Sequence, residues 1–391
     1  YNTGSMAGNI KENLSNAQIR ELLLAAAASR KAREQAEASQ GQQDIVAWAE
    51  HSFYIPESLQ PIQLEPHQRA ILRWVLGKNA DGLFPFQTIV YGTPKKSGKT
   101  AISGLVVRWV GEVATHAGEI YTIGNDGEQA RERGYAAARR SIELSLGYNK
   151  GRRWLPRRWR VQDDSMQCLS TFTRVKAITV DAPGEAGANP DLTVWTELWG
   201  FVSKDALRFW DEMTPVPTKP NSMRWVETYA GYRNESVLLW DLYTLGQQGR
   251  QVILWELSEK GQEPLAELAK SFPECCDNYG KPNPAALVPI WIQGRMFMYW
   301  DSGLQARRMP WQRGPAYEEF LHERAREEPP QVYERFWNNQ WVDSESDFVP
   351  MALWDMCKDS VMPPLLPGSK EPAVVGMDAA TTGDCFGVVV V

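Results

Sequence analysis

The segment 87–107, QTIVYGTPKKSGKTAISGLVV, decides the predicted fold. It combines an apolar strand pattern, a loop that ends in Gly98-Lys99-Thr100, and a helix pattern. At such a helix N-terminus free N–H groups meet phosphate oxygens, a glycine allows close approach, a lysine reaches the outer phosphates, and a threonine hydroxyl can ligate Mg²⁺. The segment therefore predicts a site for ATP and Mg²⁺, although Thr93 stands where the template G-x-x-x-x-G-K-[ST] has its first glycine.

The alternative is a helix cap beside a solvated lysine. The predicted nucleotide-contacting residues are Thr93, Lys95, Lys96, Ser97, Gly98, Lys99 and Thr100, the last also as a metal ligand.

Strand and helix patterns alternate on both sides of this loop. Strand patterns cover residues 86–91, 119–123, 192–195 and 222–230, and helix patterns cover 100–111, 128–146 and 236–245. Such alternation is typical of α/β domains in which helices flank a mostly parallel sheet. The sequence thus predicts an α/β core built around the phosphate loop.

Proline spacing and composition divide the rest of the chain. Prolines become frequent after about residue 256, which predicts a small helical or irregular lid subdomain over 256–362, following a core at 51–255. Residues 6–50 predict a helical arm whose apolar stripe packs on the following domain or docks a partner. Residues 1–5 resemble the remnant of an expression tag, and residues 363–391 are expected to be a linker and the first hairpin of another domain.

Composition excludes several classes of protein. A chain of 391 residues with 43% hydrophobic and 23% charged residues is expected to be globular, and its apolar runs are too short to cross a bilayer. Five cysteines without a C-x-x-C pair argue against a disulfide framework and a zinc site. The net charge of -6 excludes a generally basic nucleic-acid binder, although residues 131–160 hold ten Lys or Arg and only two acids. We therefore expect a soluble, cytoplasmic protein with one local basic patch.

A second apolar strand pattern ends at a carboxylate. In LTVWTELWGF, residues 192–201, the strand runs into Thr196 and Glu197. Nucleotide hydrolysis needs carboxylates at the end of a neighbouring strand, because they hold the water shell of the metal and orient the attacking water. We predict Glu197 as the catalytic carboxylate and a metal-site residue, with a helix-capping role as the alternative. Since Thr196 stands in place of the usual aspartate, the Mg²⁺ contact is expected to pass to another group, such as Asp181 or Asp191.

Two weaker signals fit around this centre. Gln68 precedes a helix pattern, and a glutamine amide can pair with both edges of adenine through its donor and its acceptor. The segment 227–231, ETYAG, follows another strand pattern and places Thr228 where a loop of the sheet can sense the γ-phosphate. We expect Gln68 to contact the base and Thr228 to couple hydrolysis to motion. The alternative for Gln68 is an ordinary surface glutamine.

Taken together and in this order, these segments resemble the large terminase subunit of tailed bacteriophages, the motor that packages viral DNA. The resemblance covers most of the chain from about residue 64. It rests on PHQ at 66–68, PKKSGKT at 94–100, GNDGEQA at 124–130, GEAGANPDLTVWTEL at 184–198, TYAG at 228–231 and RFWNNQWVDSESDFVPMALWDMC at 335–357. A phosphate loop without its first glycine, but with basic residues before G-K-[ST], is characteristic of that family. The family usually has an arginine where Lys95 and Lys96 stand, and lysine lacks the planar fork of arginine.

The resemblance implies a P-loop ATPase core followed by an RNase H-like nuclease that uses two metal ions. Residues 374–378 and 387–391 resemble the first hairpin of that nuclease, with Asp378 as the first metal carboxylate or, alternatively, a turn cap. A two-metal centre needs further carboxylates, so we expect this chain alone not to cut DNA, whereas the full-length protein also cuts concatemeric DNA.

The resemblance also implies cofactors, partners and a location. The cofactors are ATP and Mg²⁺. The partners are double-stranded DNA, the portal protein, the small terminase subunit and further copies of the chain in a ring, in the host cytoplasm during virion assembly and away from membranes. Such rings use an arginine finger in trans, for which Arg131, Arg139, Arg140 and Arg233 are all candidates.

The basic patch at 147–160, GYNKGRRWLPRRWR, predicts contacts with DNA. Arginine contacts to phosphate are independent of base sequence, which suits a motor that must grip any DNA. The predicted DNA-binding residues are Arg152, Arg153, Arg157, Arg158 and Arg160, with a contact to a neighbouring subunit as the alternative. Two rival functions remain: a helicase-like DNA-dependent ATPase, and a non-hydrolysing nucleotide- and DNA-binding scaffold, which Thr93 and Thr196 favour.

Overall fold

A ten-stranded mixed sheet forms the centre of the computed structural model, which describes residues 44–145, 158–180 and 188–343 and two further strands near the C-terminus. The strands are β1 Tyr54–Ile55, β2 Gln60–Pro61, β3 Thr88–Gly92, β4 Glu119–Gly124, β5 Trp159–Val161, β6 Ser165–Cys168, β7 Arg174–Thr179, β8 Leu192–Thr196, β9 Met223–Thr228, β10 Arg250–Ile253, β11 Leu287–Gln293 and β12 Met296–Trp300. The order across the sheet is β10-β11-β12-β3-β9-β8-β4-β7-β6-β5. The strands from β12 to β7 are parallel, and antiparallel pairs extend both edges. β1 and β2 pair separately.

Helices cover both faces of this sheet. They are α1 Ile45–Ser52, α2 Pro66–Leu76, α3 Lys99–Trp109, α4 Gly127–Ala130, α5 Ala136–Leu144, α6 Lys204–Glu212, α7 Val237–Gln247, α8 Leu254–Gly261, α9 Leu265–Ser271, α10 Pro315–Glu327 and α11 Pro330–Trp337. One apolar core joins the sheet to α1, α2, α3, α5, α8 and α9, and a second joins it to α6 and α7. Neighbouring residues of a strand alternate between these cores: Trp225 belongs to the first and Val226 to the second. In the described part of the chain, no helix is both long and apolar enough to cross a membrane.

The predicted α/β core with its mostly parallel sheet is confirmed. β3, β8 and β9 lie side by side in the middle of the sheet, and their residues are almost all buried. A strand covered on both faces needs a nearly continuous apolar run, and this is the pattern that the sequence showed. Because the carboxyl ends of parallel strands share one edge, the segments that follow these three strands meet there.

The region after residue 256 differs from the predicted separate subdomain. β11 and β12 belong to the central sheet, where β12 pairs in parallel with β3. The prolines do not interrupt these strands: Pro289 lies within β11 at the shifted register between β10 and β11, where a residue without an N–H is tolerated. The chain divides instead into compact units at Tyr1–Glu345 and Ser346–Val391, rather than at residue 362.

The remaining predictions about domains fall mostly outside the described residues. Of the N-terminal arm at 6–50, the structure describes α1, which begins after its cap Asp44. In the second unit, β13 Val375–Asp378 and β14 Gly387–Val390 pair antiparallel with Asp378 opposite Gly387, which is the predicted hairpin.

Close packing of α3 on α5 leads to the first testable prediction. A Cβ atom on Gly104 would lie 2.6 Å from Ala137 Cβ and 2.8 Å from Ala138 N. Gly104→Ala is therefore expected to lower the free energy of unfolding by about 1–2 kcal/mol, although alanine favours helix formation. Urea denaturation measures this change. Ala137→Gly in the same background is expected to recover part of the loss, and a Gly104→Ala protein as stable as the parent would contradict the close contact.

Candidate functional site

Three adjacent parallel strands converge on the phosphate loop. The loop 93–98 follows β3, Glu197 follows β8, and Thr228 ends β9, which lies between them. The sequence predicted these three segments to cooperate, and the strand order brings them together at the carboxyl edge of the sheet.

The loop takes the turn that a phosphate cradle requires. Gly98 is the N-cap of α3 with a left-handed φ of 74°, and Lys96 also has a positive φ, 65°. A glycine adopts this backbone conformation without the strain that a Cβ atom adds. The first N–H groups of α3 are thereby directed at the space above the loop, where an anion is stabilised.

Contacts from distant segments hold the loop in this shape. The Thr93 N–H donates to the Thr228 carbonyl at 3.1 Å, and the Lys95 N–H donates to the Phe336 carbonyl at 2.7 Å. Trp311 Nε1 donates to the Lys96 carbonyl at 2.8 Å, and Gln312 Nε2 donates to Ser97 Oγ at 3.2 Å. The loop is therefore fixed from β9, from α11 and from the segment at 310–312, and only the last two lie in the region that was predicted to form a separate subdomain.

Lys99 and Glu197 form the central pair of the site. Lys99 Nζ lies 3.5 Å from Glu197 Oε1, and both side chains are buried. Glu197 has left-handed backbone angles, φ 56° and ψ 54°, which cost about 1–2 kcal/mol for a residue with a side chain. Trp199 Nε1 donates to Glu197 Oε2 at 3.0 Å and so fixes the second oxygen. The strained backbone and the two contacts hold the carboxylate beside the loop lysine.

Glu227 is a second acid at this edge, and the sequence reasoning missed it. It is the residue before Thr228 in β9, it is fully buried, and Ser103 Oγ donates to its Oε2 at 2.7 Å. Burial and, next, the Glu197 carboxylate raise the pKa of Glu227 to about 7, against the opposing charge of Lys99. The only signal in the sequence is an acid at the end of an otherwise apolar strand pattern.

The described residues fit a phosphate group and a magnesium ion. Thr93 Oγ1 is buried without a hydrogen-bond partner among the described residues, and it lies in the loop that the α3 N-terminus faces. No group of three or more His, Cys, Asp or Glu side chains in that part of the chain is placed to hold a metal. Mg²⁺ commonly binds through one or two carboxylates and the phosphates of its nucleotide, so the donors present at this edge suit it when a nucleotide is bound.

Gln68 and Thr228, the two residues with weaker sequence signals, make different contacts in the structure. Gln68 is buried beside Gly98, its Oε1 accepts from the Glu65 N–H at 3.0 Å, and its Nε2 contacts Met309 Sδ at 3.6 Å. One face of the amide therefore already caps α2. The Thr228 hydroxyl donates to the Tyr229 carbonyl at 3.0 Å, while the Thr228 carbonyl holds Thr93, so the described link to the loop runs through the backbone.

Asp191 does not supply the acid that Thr196 lacks. Asp191 lies at the amino end of β8, roughly 20 Å from Glu197 along the strand. Its carboxylate accepts from the Glu119 N–H at 2.9 Å and pairs with Lys219 Nζ at 2.8 Å. Asp191 therefore stabilises the opposite edge of the sheet. Asp181, the other candidate, lies outside the described residues.

The basic patch is described in part. Arg152, Arg153 and Arg157 lie outside the described residues, whereas Arg160 is exposed on β5. Arg158 Nη1 lies 4.0 Å from the buried Glu112 carboxylate, to which Trp159 Nε1 donates at 2.7 Å. Trp159 is buried and packs on the core, as expected for a residue that supports the hairpin of β5 and β6.

Three of the four arginines that are candidates for a finger pair with a nearby acid. Arg139 pairs with Glu143 at 3.1 Å, Arg140 with Glu132 at 3.5 Å and Arg233 with Asp343 at 2.9 Å. The Arg131 guanidinium lies over Gly127. Arg133 is not one of these four candidates, yet its charge opposes the rise in the pKa of Glu227. It is exposed in the π-helical turn Arg131–Tyr135, which interrupts the helix after β4.

Lys95, the first of the two lysines within the loop, contacts aromatic rings. Its Nζ lies 3.0 Å from the centroid of the Phe336 ring and 5.6 Å from that of Tyr229. Burial lowers the pKa of Lys95 to about 8, against the raising effect of the Glu197 charge. The side chain thus places a positive charge between the loop and α11.

Solved structures that superpose on this chain include large terminases. The crystal structure of the HK97 bacteriophage large terminase superposes with a TM-score of 0.52 at 14% identity, covering 89% of this chain and 64% of that chain. The large terminase of a thermophilic bacteriophage gives 0.44 at 12% identity, covering 82% and 63%. A mutant ATPase domain of the Thermus phage P74-26 large terminase gives 0.43 at 12%, covering 73% and 97%.

Comparison of the sequence alone finds no match. No protein-family model matches the chain, and no curated protein matches it. The fold assignment therefore depends on the superposition with the HK97 structure, of whose length this chain spans 64%. By that superposition, the chain has the fold of the phage large terminases.

Proposed function

We propose that the chain is the ATP-hydrolysing motor subunit of a DNA-packaging machine, which moves double-stranded viral DNA into a procapsid. The observation that carries this proposal is the buried pair of Lys99 and Glu197, 3.5 Å apart at the carboxyl edge of the parallel sheet, where the segments after β3 and β8 meet across β9. A lysine at a helix N-terminus beside a carboxylate is the arrangement needed to bind phosphates and to orient a water molecule.

Each residue of the site then has a separate task. Lys99 and the N–H groups of α3 bind the phosphates, and Mg²⁺, when bound with the nucleotide, neutralises charge on the phosphate oxygens. Glu197 orients the attacking water. Thr228 couples hydrolysis to motion, because its carbonyl holds the N–H of Thr93 at the start of the loop. Gln68 Nε2 lies beside Gly98, and Gln68 contacts the base of the nucleotide.

Partners and further activity belong to the same proposal. The basic patch around Arg158 and Arg160 grips DNA, with Arg152, Arg153 and Arg157 completing it. Copies of the chain form a ring on the portal protein together with the small terminase subunit, in the host cytoplasm during virion assembly. The hairpin of β13 and β14 begins an RNase H-like nuclease whose first metal ligand is Asp378, and cleavage of concatemeric DNA requires the rest of that domain.

The ATPase rate as a function of protein concentration, with and without duplex DNA, tests this function. A rate that rises with protein concentration or with DNA supports a ring motor, because an arginine supplied by a neighbour acts only in the assembly. A helicase-like enzyme would instead separate strands. Absence of turnover at every concentration would favour the scaffold, for which Thr196 in place of an acid is the supporting observation.

Replacement of the loop lysine tests the phosphate site directly. Lys99→Ala removes a buried positive charge beside the α3 N-terminus, so we expect ATP affinity to fall at least tenfold. Isothermal titration calorimetry measures the dissociation constant. The matched control is Lys204→Ala, because Lys204 also begins a helix, α6, but is exposed, and a surface charge contributes at most about 1 kcal/mol. Equal losses for the two variants would argue against a specific role of Lys99.

A further inference from the structure

The strand register places Glu227 beside the position that lacks an acid. In the parallel pair of β8 and β9, Thr196 is the register partner of Glu227. Val194 and Trp225, two residues earlier on these strands, both belong to the core under α3. Because side chains alternate along a strand, Thr196 and Glu227 share that same face, which the phosphate-loop helix covers.

Glu227 is aimed at the first turns of that helix. Its Oε2 accepts from Ser103, which lies three residues after Thr100 and hence on the same side of α3. The Ser103 oxygen in turn accepts from Trp225 Nε1 at 3.1 Å, so the hydroxyl proton is directed at Glu227. These contacts hold the carboxylate against the first two turns of α3, the helix that begins with Lys99 and Thr100.

The second oxygen of Glu227 is left without a partner. Oε1 is buried and meets no hydrogen-bond donor within the described residues. Because the residue has no exposed surface, bulk water does not supply a donor either. A buried carboxylate oxygen without a donor is costly in a purely structural role. The positive charge of Lys99 and the negative charge of Glu197 both act on this carboxylate, so it belongs to the same electrostatic centre.

We propose that Glu227 is the second carboxylate of the metal site and takes the role that the acid at Thr196 would have. Its Oε1 would hold the hydration shell of a Mg²⁺ ion that the Thr100 hydroxyl and the nucleotide phosphates bind. The acid has thus moved by one strand, from the end of β8 to the end of β9. This inference rests on the proposed nucleotide site, but it gives Glu227 a metal-binding role that the sequence motifs do not assign to it.

Binding of a non-hydrolysable ATP analogue, measured over a range of Mg²⁺ concentrations and in EDTA, tests the proposal without turnover. Glu227→Gln keeps the shape and the acceptor for Ser103 but removes the charge. We expect the Mg²⁺ midpoint to rise about tenfold or more, while affinity in EDTA stays within twofold, because the metal contact alone is lost. Asp191→Asn, at the other end of β8, is the matched control and is expected to leave both values unchanged.

A swap of the acid separates this role from a structural one. Thr196→Asp in the Glu227→Gln background returns a carboxylate to the neighbouring register position and is expected to recover most of the Mg²⁺ dependence. Thermal unfolding of each variant checks folding, and the swap decides the question even where Glu227→Gln alone is unstable. A Mg²⁺ midpoint that Glu227→Gln leaves unchanged, or that the swap fails to recover, would overturn the proposal. Absence of analogue binding by the parent chain would overturn the nucleotide site itself, which is a distinguishable result.

Discussion

Glu197→Gln is expected to lower the ATP turnover number by about 100-fold or more, while the dissociation constant for ATP changes by less than a few-fold. The glutamine keeps the volume of the side chain and the acceptor for Trp199 Nε1. It removes the negative charge that, in the proposed function, orients and deprotonates water, and such a charge acts in the transition state more than in the bound ground state. Steady-state turnover and equilibrium ATP binding, measured on the same preparation, test the prediction.

Trp199→Phe is the matched control for Glu197. It removes the N–H that holds Glu197 Oε2 at 3.0 Å but leaves the carboxylate itself in place. We expect a fall in turnover of about tenfold, because a carboxylate that is free to rotate is less often oriented for attack. A Glu197→Gln protein with normal turnover would remove Glu197 from catalysis and would favour its role as a capping residue before the turn at Leu198–Gly200.

The strands and helices around the phosphate loop were predictable because each has a strong local pattern. The predicted strand at 192–195 is observed as Leu192–Thr196, and the predicted helix at 236–245 as Val237–Gln247. The placement of β11 and β12 was not predictable by the same means. The prolines after residue 256 predict interruptions, whereas the structure accommodates Pro289 within β11, at an irregular register position of the sheet.

The candidate site was predictable only where chain order and contact coincide. Lys99 and Glu197 each end a recognisable motif, and parallel strands bring such ends together. Glu227 depends on the register between two strands, and a single sequence does not determine register across a sheet. The hydrogen bonds from Phe336 and Trp311 to the loop join residues more than 200 positions apart, so no local pattern predicts them.

Arg335→Ala is expected to lower the free energy of unfolding by about 2–4 kcal/mol. The guanidinium is buried, Nε donates to the Ala230 carbonyl at 3.0 Å, and its carbon lies 3.8 Å from the centroid of the Tyr232 ring and 4.4 Å from that of Trp199. Loss of this side chain leaves a cavity between α11 and the segment after β9, and it leaves a buried carbonyl unpaired. Urea denaturation gives the change in stability.

The same substitution is expected to reduce ATP turnover more than ATP affinity. Arg335 packs on the Trp199 ring, and Trp199 holds the Glu197 carboxylate, so movement of the ring disturbs the proposed catalytic group rather than the phosphate loop. Arg233→Ala is the control: this exposed arginine pairs with Asp343, and a surface ion pair contributes at most about 1 kcal/mol. If Arg335→Ala lost stability but kept full turnover in its folded fraction, Arg335 would support α11 without acting on Glu197.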